Sequence, residues 1–152
     1  MQDRFKTFTV LISKISRNIR KIKTEETAEL NLKSPHVSCL YHLYKAKTLT
    51  SKELSEVCDE DKAAISRSIE YLEKNGYISC SSNAKKRYKA SLVLTPKGEE
   101  VAKILSDKID KTLAQASESL SEENRIILYK SLSLISDNLQ KICNNLENKN
   151  DN

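Results

Sequence analysis

The 152-residue sequence predicts a mainly α-helical fold with one small β-hairpin. Three observations lead there. Two prolines and two glycines leave long uninterrupted stretches for helices. Both ends of the chain carry apolar residues that step by threes and fours. Between about residues 33 and 96, successive helix-start signals lead to a glycine stop and then to two alternating, strand-like runs.

The elements follow in order. At the N-terminus Phe5, Phe8, Ile12, Ile15, Ile19 and Ile22 form a narrow heptad-like seam. Lys14, Arg17, Arg20, Lys21 and Lys23 occupy the other faces. Such a helix packs against a partner helix; a helix lying on a membrane surface needs a broader apolar face. Ser34-Pro35 opens the next helix, with Val37, Leu40, Leu43 and Tyr44 inward. Thr50-Ser51-Lys52-Glu53 reads as a capping box. The short helix it starts directs Leu54 and Val57 inward. Cys58-Asp59-Glu60 makes a turn, and Asp61 caps a helix over 61–75.

That helix has Ile65, Ile69 and Leu72 on one face and Lys62, Ala63, Ser66, Arg67 and Glu70 on the other. Gly76 ends it with a left-handed cap. The runs YISCSS and YKASLVL then form a hairpin whose loop holds Lys85, Lys86 and Arg87. Thr95 and Pro96 start a further helix, with a stripe of Val101, Leu105, Ile109, Leu113, Ala116 and Leu120. Ser121 with Glu122 and Glu123 starts the last one, whose seam is Leu128, Leu132, Ile135, Leu139, Ile142 and Leu146.

Helix, short helix, turn, helix and a basic-tipped hairpin make a winged helix-turn-helix. The small residues Ala63 and Ser66 let the backbone of 61–75 approach base edges in a major groove. Arg67 suits the O6 and N7 edge of guanine. Lys62 suits a phosphate, as do Thr50, Ser51 and Lys52 at the start of the short helix. The wing, 83–88, reaches the adjacent minor groove through Lys85, Lys86 and Arg87. Single helices cannot bury the terminal seams, so a homodimer is expected through Phe5, Phe8, Ile12, Ile15, Leu132, Ile135, Leu139 and Ile142. The expected organisation is an N-terminal dimerisation helix (1–30), the winged domain (31–98), C-terminal dimerisation helices (99–147) and a polar tail (148–152).

DKAAISR-x-I-x-x-L-E-x-x-G-Y-I and the L-x-L-T-x-x-G exit from the wing, at Leu92, Leu94, Thr95 and Gly98, resemble the MarR family of transcriptional regulators. The resemblance covers nearly the whole chain. It implies a homodimeric, ligand-responsive repressor that binds a palindromic operator in double-stranded DNA. It also implies a cleft between the reading domain and the dimer helices that takes a small aromatic or anionic effector. His36, Cys39 and Arg17 are the candidate residues for that pocket. The family's usual Asp-x-Arg in the wing falls here on Lys86 and Tyr88, with Arg87 between them. The peroxide-sensing branch places a cysteine in the first helix, and this chain has none there.

Other chemistry is thinly represented. Net charge is +5, which permits a polyanionic partner without requiring one. No Gly-rich phosphate loop, GxSxG or HExxH occurs, so no enzyme is expected. No run of about 18 apolar residues is present, and the N-terminus lacks a signal-peptide pattern, which points to the cytoplasm and no membrane partner. Four cysteines without a CxxC pair read as free thiols. His36-x-x-Cys39-x-x-His42 has helical spacings, but positions 36 and 42 diverge around the helix, so no resident metal or cofactor is expected. The competing reading is a winged-helix protein-interaction module without specific DNA binding. It predicts a more apolar face on 61–75 than the small, polar and basic one present.

Overall fold

In the computed structural model the described residues are 3–58, 60–81 and 90–150. The chain divides into two compact units, Met1–Ile109 and Asp110–Asn152.

The first unit opens with a turn of π-helix, Lys6–Leu11, that continues into α1, Ile12–Glu25. The Thr9 hydroxyl donates to the Phe5 carbonyl at 2.6 Å. A π turn inserts a residue into the α repeat. The Phe5–Phe8 end of the expected seam is therefore out of step with Ile12 and Ile15. Every apolar residue of the seam is exposed, from Ile19 at 36% to Phe5 at 76%. A tight connection follows. The buried Thr27 hydroxyl lies 2.9 Å from the Leu32 carbonyl oxygen, and Asn31 takes the left-handed backbone (φ 54°) that asparagine tolerates.

α2, Ser34–Ala46, places Val37, Cys39, Leu40 and Leu43 in the core. Lys33 rather than Ser34 holds the N-cap position. Its amide donates to Nδ1 of His36 at 3.1 Å. The chain then forms β1, Thr48–Thr50, a strand absent from the sequence expectation. α3, Ser51–Cys58, starts from the expected capping box: the Glu53 amide donates to the Thr50 hydroxyl at 3.3 Å and the Thr50 amide to Glu53 Oε2 at 2.7 Å. Leu54 is fully buried, but Val57 is 46% exposed, against the inward position expected for it. Cys58, one residue on, packs on the core instead.

α4, Lys62–Lys74, buries Ile65, Ser68, Ile69 and Leu72. Its end is a Schellman arrangement. Gly76 (φ 74°) donates its amide to Glu73 and Tyr77 donates to Leu72, at 3.0 and 2.9 Å. β2, Ile78–Cys80, and β3, Ser91–Leu94, run antiparallel with Ile78 opposite Leu94. β1 pairs on the other side of β3 with Leu49 opposite Leu92, so the sheet order is β1-β3-β2. The expected two-stranded hairpin is thus widened by a strand far away in sequence. The wing tip, including Lys85, Lys86, Arg87 and Tyr88, lies outside the described residues, as does Asp59.

α5, Pro96–Ala116, begins against the end of α4. Thr95 Oγ1 accepts the Gly98 amide at 3.0 Å and donates to the Gly76 carbonyl at 2.6 Å. Gly98 packs directly on the Tyr77 backbone, where a Cβ would collide with the carbonyl. In the second unit, α6, Glu122–Asn150, starts at Ser121, whose hydroxyl accepts the Asn124 amide at 3.2 Å. Leu132, Leu139 and Ile142 are exposed and Ile135 is half-buried. Gly98→Ala should destabilise the protein by about 2–4 kcal/mol, because neither the backbone of α5 nor that of Tyr77 can yield alone. Urea unfolding checks this: the midpoint falls sharply while a neighbouring surface change such as Glu99→Gln leaves it nearly unmoved.

Candidate nucleic-acid interface

The exposed face of α4 is the centre of the site. Asp61 caps it by accepting the Ala64 amide at 2.8 Å, which fixes the first turn. Lys62, Ala63, Ser66, Arg67 and Glu70 all face solvent, while the opposite face is locked into the core by Ile65, Ile69 and Leu72. A rigid helix thus presents two small side chains between cations. No acidic residue stands in its first turn. The Asp61 cap sets a carboxylate at the helix N-terminus, so the cation available to a phosphate there is the exposed Lys62 beside it.

The residues at the start of α3 are differently engaged. Thr50 Oγ1 lies 2.8 Å from Glu53 Oε2, so its hydroxyl serves the cap. Hydrogen bonds from the Thr50 amide and hydroxyl hold the Glu53 carboxyl below its ordinary pKa. Ser51 is half-buried and lines a cleft of about 330 Å³ with Ser66, Glu70 and Cys80. Lys52 is exposed and pairs loosely with Glu56 at 3.9 Å. Such a pair releases its cation to a better anion at little cost.

On the other flank of α4, Arg67 borders a groove of about 510 Å³ shared with Asn31, Lys33, Pro35, His36, Ser68 and Tyr71. Tyr71 organises that groove. Its ring stacks on His36 with centroids 4.2 Å apart, and its hydroxyl donates to the Asn31 carbonyl at 2.8 Å. The sequence reading did not single out Tyr71. The available signal was an aromatic one turn after Arg67, which spacing alone cannot join to a histidine on another helix.

The candidate effector residues are not brought together. His36 lines the groove beside α4, Cys39 is fully buried, and Arg17 is exposed and borders neither groove. A separate groove of about 330 Å³ lies between α1 and the winged domain. Ile12, Ile15, Ile19, Arg20 and Lys23 form one wall, with Ser34, Ser38, Cys58 and Glu60 opposite. Lys23 Nζ donates to the Ser38 hydroxyl at 2.8 Å. The His36, Cys39 and His42 side chains part company: His36 goes to Tyr71, Cys39 to Cys58, and His42 edge-on to Tyr41 at 5.4 Å. Among the described residues no three His, Cys, Asp or Glu side chains gather as a metal site. No described helix is long and apolar enough to cross a membrane.

Comparison with known proteins places this geometry. Residues 36–113 match the family model of the winged helix DNA-binding domain. A MarR family regulator from Listeria monocytogenes, solved with a 26-mer DNA, is similar at 25% identity and TM-score 0.79, over 91% of this chain and 90% of that one. A MarR family regulator from Neisseria meningitidis is similar at 18% identity and TM-score 0.79, over 92% and 96%. MepR of S. aureus, in a DNA complex, is similar at 18% identity and TM-score 0.75, over 88% and 98%. No curated protein matches the chain.

Two predictions follow from the local chemistry. Asp61→Ala should cost about 1 kcal/mol, read from urea unfolding, by freeing the first turn of α4. The second concerns pH. Burial, then Lys33, lowers the pKa of His36 below 6.5; burial, then Lys23, lowers that of His42. The unfolded chain therefore takes up protons first as pH falls. Stability is complete above pH 6.5 and declines as pH drops through it toward the folded-state values. The urea midpoint should fall from about pH 7.5 to about pH 5.5, and a His36→Gln/His42→Gln double variant should flatten that fall.

Proposed function

This chain belongs to the winged helix DNA-binding domain family and has the fold of MarR family regulators, and we propose that it is a homodimeric, sequence-specific transcriptional regulator of the repressor type, responsive to a small ligand. α4 enters a major groove of double-stranded DNA, with Arg67 reading a guanine edge and Ala63 and Ser66 allowing close approach. Lys62, Ser51 and Lys52 hold backbone phosphates, with Thr50 fixing the start of α3 beside them through its bonds to Glu53. Lys85, Lys86 and Arg87 take the adjacent minor groove. The observation that carries this reading is the exposed α4 face, small and cationic on a helix whose other side is buried in the core.

The dimer is supported by the apolar side chains left exposed on α1 and α6, including Ile12, Ile15, Leu132, Leu139 and Ile142. Two-fold symmetry then calls for a palindromic operator with half-sites about 34–36 Å apart. A small aromatic or anionic effector acts by binding the form of the dimer that fits DNA less well. No resident cofactor or metal and no membrane enters this reading.

Fluorescence anisotropy against DNA from immediately upstream of the gene, with a scrambled duplex as control, tests it across a salt series. Arg67→Ala should weaken specific binding by about 1–3 kcal/mol and relax preference at one base pair. Lys86→Ala should weaken specific and scrambled duplexes alike and reduce the salt slope by about one. Wild-type binding by both variants would remove the assigned reading surface. Sedimentation equilibrium tests the assembly: Leu139→Asp/Ile142→Asp should sediment as a monomer and lose the palindromic site.

A further inference from the structure

Two of the four cysteines meet in the core of the helix-turn-helix. Cys39 lies on α2 and is completely buried. Cys58 is the last residue of α3, partly exposed, and forms part of the wall of the groove beneath α1. Both are free thiols, and their side chains are hydrogen-bonded to each other. Lys23 and Arg20 line the same groove on the α1 side, and Glu60 lines it on the far side. The arrangement is asymmetric. Cys58 borders the groove, whereas Cys39 is completely buried.

We propose that Cys58 and Cys39 are a redox-active pair: Cys58 captures a low-molecular-weight disulfide from the groove, and Cys39 resolves the adduct into an intrachain Cys39–Cys58 bond. In the first step the Cys58 thiolate attacks one sulfur of R–S–S–R. That S–S bond breaks, a Cys58–S–S–R bond forms, and RS⁻ leaves and takes a proton. In the second, Cys39 attacks the Cys58 sulfur, the Cys58–S–S–R bond breaks, and the expelled RS⁻ takes up the proton that Cys39 releases. Two protein thiols are oxidised and one small disulfide is reduced to two thiols.

The electrostatics assign the two roles. The hydrogen bond from Cys39 lowers the Cys58 pKa and the Lys23 ammonium adds to it, against the opposing effects of burial and Glu60. The same hydrogen bond, with burial, raises that of Cys39. The sulfur bordering the groove is therefore the nucleophile, and the buried one stays protonated until its neighbour has reacted. The groove, about 330 Å³ and lined by Cys58, gives a small disulfide a place to meet that residue. The chemistry is independent of any DNA contact.

The test uses the full chain with Cys80 and Cys143 both changed to Ser, so that only the pair remains. The reduced protein is incubated with oxidised glutathione, quenched with an alkylating agent and read by intact mass and peptide mapping. The expected product is lighter by two hydrogens, with the peptides of Cys39 and Cys58 joined. Adding Cys39→Ser should leave glutathione on Cys58, and adding Cys58→Ser should leave Cys39 unmodified. In the wild-type chain Cys58 should react roughly tenfold faster than the exposed Cys143. Recovery of both thiols fully alkylated, or a persistent glutathione adduct on Cys58 beside a free Cys39, would overturn the proposal. Because Cys80 itself packs on the core, peptide mapping of the unsubstituted wild-type chain supplies the same readout without any core substitution.

Discussion

The Thr95 junction is the constraint on which the reading unit depends. One hydroxyl accepts the amide of Gly98 and donates to the carbonyl of Gly76, while the Thr95 amide donates to Tyr77 at 3.0 Å. Three elements therefore end or begin within one hydrogen-bonded knot: the stop of α4, the exit of β3 and the start of α5. The knot closes only because Gly76 adopts a positive φ and Gly98 brings no Cβ against Tyr77. The chain's only two glycines are both spent here. The orientation of α4 against the sheet is inherited from this point.

That junction also explains why so much was legible in the sequence. Caps, glycine stops and apolar faces are local, and their signals sit within a few residues of their effects. Asp61, the Thr50–Glu53 box, Ser121 and Gly76 all act as their positions imply. What escaped was non-local. Thr48–Thr50 is too short to announce a strand, and it becomes one because Leu92 of β3 supplies a partner for Leu49. Tyr71 gains its importance from His36, 35 positions earlier (71 − 36), and from the Asn31 carbonyl. Val57 illustrates a subtler loss. In so short a helix as α3 the choice between facing inward at position 57 or 58 depends on how α2 and α4 approach, and Cys58 took the place.

The terminal helices pose the opposite case, where the pattern was readable and its consequence was not. The seam of α1 was visible by spacing, yet the π turn at Lys6–Leu11 shifts its first residues out of phase. In the second unit α6 leaves Leu132, Leu134, Leu139, Ile142 and Leu146 exposed along one helix. At about 25 cal/mol per Å² of apolar surface, a face of this kind left in water is a large unspent driving force. A second copy of the same chain would offer the same seam, which is the physical case for the proposed dimer.

Cys58 and Asp61 bring the two halves of the argument together. The residue that ends α3 is three positions from the residue that caps α4, and the turn between them is held by the Ser55 hydroxyl on the Glu60 carbonyl at 2.6 Å. A bond from Cys58 to α2 would act directly on this short link. The first turn of α4, which carries Lys62 and Ala63, follows Cys58 closely in sequence, so a displacement of Cys58 has only a short length of chain through which to reach it. The groove under α1 and the reading face of α4 are thus joined along the chain, with two residues between Cys58 and Asp61. A chemical change at the thiol therefore has a short mechanical path to the surface proposed to read DNA.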